Sequence, residues 1–247
     1  MAVSTALQLG ALAVAGDSLA AGTTARQVFS TVEMALVVAL VGVAVAIVRW
    51  SADRGALVVG VARLTLASIV LCAMGDLINR NYPGHAYQWD DVVRHSYLIT
   101  SIIAFAPGYA LVVVANRRAT AAVVPARTAA TTVAVAAALG LVGFATSYDG
   151  AVAVGANVAM ALYAVVLAAL AASGLWLGRA FGWRASAPVV VGCLLAVVAD
   201  WLIATFWIHG TGYPTVEHAN WIIYFASLAL IGRLPFLVAD HGEPAQG

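Results

Sequence analysis

Lysine is absent from the 247 residues, and charge of any kind is scarce: 12 basic and 11 acidic residues make up 9% of the chain. Soluble domains carry about 25% charged residues, so a soluble enzyme, a disordered chain and a nucleic-acid binder are excluded. Without lysine there is no Schiff-base chemistry and no phosphate-loop lysine. The net charge of +1 supplies no field to attract polyanions. The only two cysteines, Cys72 and Cys193, both lie in apolar runs. Two are too few for a disulfide framework or a cysteine-based zinc site. No G-x-S-x-G motif occurs, so a serine acyl-transfer nucleophile has no support.

What is abundant is apolar: 63% of residues are hydrophobic, and the mean hydropathy is +0.96. A helix crosses a bilayer with about 20 apolar residues. Eight segments qualify: residues 3–22, 29–48, 56–78, 93–115, 127–147, 151–177, 186–208 and 216–236. They predict an all-α, polytopic membrane helix bundle of about eight transmembrane helices. It forms a single integral membrane domain over residues 1–247, with a short cytoplasmic tail at 237–247. The first segment contains Asp17 and ends in small residues, as a signal peptide does. No basic residue precedes Arg26, however, so the segment is read as a retained helix.

Arginine placement sets the orientation. Arg49, Arg54, Arg117, Arg118, Arg127, Arg179, Arg184 and Arg233 fall on one side of an eight-helix arrangement, and only Arg26, Arg80 and Arg94 on the other. The positive-inside rule then predicts a multi-pass protein of the cell membrane with both termini cytoplasmic. The loops richest in His, Tyr, Trp and acids, NRNYPGHAYQWDDVVR and HGTGYPTVEH, face outward in that arrangement. There is also a weak internal echo. LCAMGDLI around Asp76 resembles LAVVADWL around Asp200, 124 residues later. An offset of four helices suggests two parallel four-helix repeats.

Ionisable residues inside a membrane span are costly and point to function. Asp200 lies deep in VVADWLIATF, and Asp76 sits nearer the outer end of its span. Glu33 lies near the start of its segment, where an acid also suits the helix dipole. Asn157 and Tyr163 read as interhelical hydrogen-bonding groups. The histidines form no H-x-H or H-x-x-x-H pair, so neither a metal site nor a cofactor is expected. An aromatic belt accounts for most of the outer tryptophans and tyrosines. The candidate substrate contacts are Glu33, His95, Tyr97, Trp201, Trp221 and Tyr224.

Two acids in neighbouring helices permit acid and base catalysis. Apolar surroundings favour the neutral, proton-bearing form of a carboxyl. One Asp can then protonate an electron-rich double bond while the other orients water. Asp200, the deeper residue, is read as the general acid, and Asp76 as the group that positions water. An apolar surround suits a lipid or isoprenoid arriving sideways from the bilayer. The sequence gives no oligomeric state.

These pieces resemble a family. Gly75-Asp76, the run GCLLAVVAD from Gly192 to Asp200, and YFASLALIG from Tyr224 to Gly232 are similar to motifs of the bacterial lysoplasmalogenase family, whose length and helix count also match. That resemblance implies hydrolysis of the vinyl ether bond of a lysoplasmalogen, with Asp76 and Asp200 as its acids. Ala199 stands where the family pattern has Ser, and both outer loops are long. Two other resemblances are weaker. One is to the multispan sensory modules found ahead of GGDEF and EAL domains, which implies a ligand-binding module. The other is to integral-membrane terpene cyclases, which implies that Glu33 and Asp200 act on an isoprenoid epoxide or alkene.

Overall fold

The computed structural model describes residues 24–79, 98–146, 148–151, 153–208 and 213–241. Among these the chain is helical, with no strand. The helices are α1 (Thr24–Ser51), α2 (Gly55–Asn79), α3 (Leu98–Thr120), α4 (Ala126–Ala145), α5 (Val154–Phe181), α6 (Trp183–Leu202), α7 (Tyr213–Ile231) and α8 (Leu234–His241). A π-helical turn, Ile203–Ile208, extends α6. Seven spans among the described residues are long and apolar enough to cross a membrane, the last running through α7 into α8. The protein is a polytopic helical bundle. The expected first helix at 3–22 lies outside the described residues.

The helices form because each is a long run of Ala, Val and Leu. In a bilayer every backbone group must be satisfied within its own helix. What holds them together is close approach at small residues, as expected where lipid supplies no hydrophobic drive. The most extensive contact is between α2 and α3. A Cβ on Gly75 would stand 2.8 Å from the Phe105 ring, and one on Gly108 would stand 3.0 Å from Cys72 Sγ. At the other end of this pair Gly60 faces Arg118, so the two helices run antiparallel. The same device joins α6 to α7, where Gly192 leaves no room for a Cβ beside Ser227 and Ile231.

A buried polar knot ties α3, α5 and α6. Asn116 Nδ2 donates to Ser173 Oγ at 2.8 Å and approaches Cys193 Sγ at 3.8 Å. The eight arginines grouped by the sequence lie at the ends of their helices, in the same short connections, and so share one end of the bundle. Asp76 and Asp200 both lie toward the opposite end. Each sits on the first helix of an antiparallel pair, α2–α3 and α6–α7.

Residues 237–241, where the sequence places the start of a tail, belong to α8. Leu234, Leu237 and Val238 recur at helical spacing and are buried, so this stretch packs back on the bundle. The peripheral element is α4, which rests chiefly on α5. Its outer face leaves Val135, Leu139, Leu141 and Val142 exposed, as suits a surface that meets lipid.

Candidate functional site

Five helices bring a set of polar side chains into the interior. From α2 comes Asp76, only 2% exposed. Its Oδ2 accepts a hydrogen bond of 2.9 Å from the hydroxyl of Tyr224 on α7. Tyr224 is itself braced by aromatic rings: Phe105 meets it edge-on at 6.1 Å, and Trp221 does so at 5.7 Å. Trp221 in turn stacks on Phe225. One turn before Asp76, Cys72 is fully buried and packs against Gly108, the neighbour of Tyr109 on α3. Phe105 on α3 packs over Gly75, next to Asp76, so α3 closes the interior around this acid.

Asp200 approaches from α6, in the last turn before the helix widens to π geometry. Such widened turns are common at functional sites. The carboxyl faces the hydroxyls of Tyr163 on α5 and Tyr109 on α3. The two phenol rings lie nearly parallel, with centroids 6.3 Å apart. Neither hydroxyl, nor Asp200 Oδ2, has a hydrogen-bond partner of full geometry. Unlike Asp76, Asp200 is only half-buried, because a hollow of about 340 Å³ reaches it from the bilayer side.

That hollow lies between α4, α5 and α6. Its wall is apolar (Phe144, Met160, Leu167 and Trp201 among others), and among the described residues Asp200 is the one carboxylate lining it. Trp201 stands at the rim with 57% exposure. Asp76 is not among the lining residues; it is enclosed in the packed interior. The expected order of depth is thus reversed: Asp76, read as the acid nearer water, is enclosed beneath Phe105 and Tyr224, whereas Asp200, read as the deeper one, meets the lipid-facing hollow.

The expected contacts are distributed as follows. Tyr224 joins Asp76 directly, and Trp221 supports Tyr224 from behind. Trp201 flanks the hollow beside Asp200. Glu33 is fully buried on α1, and none of the contacts above reaches it. His95 and Tyr97 lie outside the described residues. Tyr109 is a member the sequence reading missed. In the run APGYAL it looks like apolar bulk, and only the packing of α3 against α5 and α6 shows where its hydroxyl goes. Its one sequence signal is a phenol in mid-span, directly after a Pro-Gly pair. Among the described residues no cluster of three or more His, Cys, Asp or Glu could hold a metal ion.

No protein-family model, curated protein or solved structure matches the chain. Its function has to be read from these side chains and the hollow they border.

Proposed function

We propose that the chain is an integral membrane hydrolase that cleaves the vinyl ether bond of a lipid, in the manner of a lysoplasmalogenase. The observation that carries this reading is the placement of Asp200: a carboxyl at the head of an apolar, bilayer-facing hollow, with a second, enclosed carboxyl, Asp76, toward the same end of the bundle. Asp200 gives its proton to the vinyl carbon remote from oxygen, leaving an oxocarbenium ion. Water adds to the carbon that bears the oxygen and surrenders a proton to the Asp76–Asp200 pair, which is thereby restored. The hemiacetal then collapses to a fatty aldehyde and the free alcohol of the head group. One water is consumed, and no oxidant or reductant is needed. Tyr163 and Tyr109 orient the Asp200 carboxyl, and Tyr224 fixes that of Asp76.

The aromatic wall favours a second reading. Phe144, Tyr163 and Trp201 line the hollow with Asp200, and ring faces stabilise a developing cation. The same acid could therefore start cyclisation of an isoprenoid alkene.

The test is direct. Purified protein in nanodiscs is given a lysoplasmalogen, its saturated alkyl-ether analogue and an isoprenoid alkene. The hydrolase reading expects aldehyde from the first alone. Conversion of the isoprenoid would move the assignment to a cyclase. Binding without turnover of any of the three would favour a ligand-sensing module.

A further inference from the structure

A second hollow, of about 550 Å³, lies on the same outer face of α4 and α5, nearer the arginine-rich end. It is lined by Val135, Ala136, Ala172 and Leu175, and closes at Thr128 and Arg127. One side chain lines both hollows: Leu139, which is 65% exposed. The floor between them is built from small residues, Gly140 and Ala164 near the acid and Ala168 and Ala172 beyond. At Gly140 a Cβ would stand 2.7 Å from the Ala164 carbonyl oxygen. The two helices touch backbone to backbone there, and only small side chains floor the path between the hollows.

The polarity along this path is graded. At one end stand Asp200, the Thr146 hydroxyl and the hydroxyl of Tyr163, a buried side chain whose oxygen lacks a hydrogen-bond partner. From Leu139 onward the wall is apolar until Thr132. At 1.5 Å per residue, Thr146 to Thr128 on α4 spans about 27 Å. That is close to the roughly 30 Å of a bilayer's hydrocarbon core.

The geometry points to a binding site for one long, unbranched aliphatic chain. Its polar end lies at Asp200, its tail lies along the α4–α5 groove toward Arg127, and Leu139 sets how far the tail reaches. This rests on the reading of Asp200 as the acid of a lipid hydrolase, and it names the substrate class of that site. A lipid with two chains would have to lodge its second chain over Trp201 or in open bilayer, so a single-chain amphiphile fits best. Gly143 lines the same groove, and nothing lies within 4 Å of where its Cβ would be. A bulky side chain there obstructs the groove without disturbing the packing beneath.

The experiment uses the full chain in nanodiscs and saturated, single-chain alkyl-ether lipids that cannot be hydrolysed. Each carries a photoreactive diazirine, either at the tail tip or beside the head, and cross-linked residues are mapped by mass spectrometry. The tail-tip probe should label α4 and α5 around Ala136, Ala172 and Leu175, and the head-proximal probe should label the region of Phe144 and Trp201. Leu139→Trp should weaken long-chain binding by about tenfold or more, the scale on which pockets discriminate chain length, and weaken short-chain binding less. Gly143→Phe should abolish both. A diacyl lipid should compete poorly.

Labelling at other helices would overturn the assignment. So would equal competition by diacyl lipid, or no effect of Leu139→Trp at any chain length. The fate of the hydrolase reading is separate. Correct labelling without aldehyde release from a vinyl ether keeps the chain site and removes the hydrolase. Aldehyde release indifferent to Leu139→Trp and Gly143→Phe does the reverse.

Discussion

Tyr224 and Asp76, separated by 148 residues, are joined by a hydrogen bond of 2.9 Å that closes α7 onto α2 in the interior of the bundle. A buried polar group costs little when paired and about 1–3 kcal/mol when its partner is removed. Tyr224→Phe should therefore lower thermal stability by that order and reduce turnover. Asp76→Asn keeps an acceptor oxygen for the phenol and should be the milder change in a melting experiment. Equal stability of Tyr224→Phe and the parent would show that the bond contributes nothing.

Gly140 and Gly143 lie one turn apart on α4 and should respond in opposite ways. A methyl at Gly140 meets the Ala164 backbone at 2.7 Å, whereas one at Gly143 meets nothing within 4 Å. Gly140→Ala should separate α4 from α5 and cost about 1–3 kcal/mol, the usual penalty of overpacking. Gly143→Ala should be neutral or stabilise by up to about 1 kcal/mol, since alanine is the better helix former. Thermal unfolding in detergent compares the pair. The same sign for both would mean that α4 does not sit on α5 as described.

Tyr109 and Tyr163 provide a test of positioning. Their hydroxyls have no hydrogen-bond partner of full geometry, so replacing either Tyr by Phe should cost little stability. If they orient the Asp200 carboxyl, each replacement removes a hydrogen bond to a charged or developing group, worth about 1.5–3 kcal/mol. That corresponds to roughly a ten- to hundredfold loss in kcat. Unchanged kcat in a folded Tyr163→Phe variant would leave Asp200 to act without them.

Much of the fold was legible in the sequence because hydropathy is a one-dimensional signal. An unbroken apolar run such as MALVVALVGVAVAIV has few options besides a spanning helix. Asp76 and Asp200 stood out for the same reason, as ionisable residues where ionisation is expensive. Tyr109 did not, because a phenol is at home in apolar surroundings and its relation to Asp200 depends on how α3, α5 and α6 pack. The packing itself turned on Gly75, Gly108 and Gly192, whose role depends on what lies opposite them. The helix Leu234–His241 was legible in principle. Leu234, Leu237 and Val238 form a helical stripe, but the residues from 237 on, past the end of the last apolar segment, read more readily as a tail. The hollow at Asp200 had no sequence signal, since it depends on α4 resting on α5 while α6 leaves a gap.

The central claim is that Asp76 and Asp200 form one catalytic unit acting on a vinyl ether. The most direct measurement is a double-mutant cycle on aldehyde release with Asp76→Asn, Asp200→Asn and the double variant, each first shown to be folded. Asp200→Asn should lose at least about 100-fold in rate, the lower scale of general acid catalysis. The double variant should be little worse than the worse single one, because groups that act together are not additive. Near-normal turnover in folded Asp200→Asn, or losses that multiply across the two positions, would contradict the account.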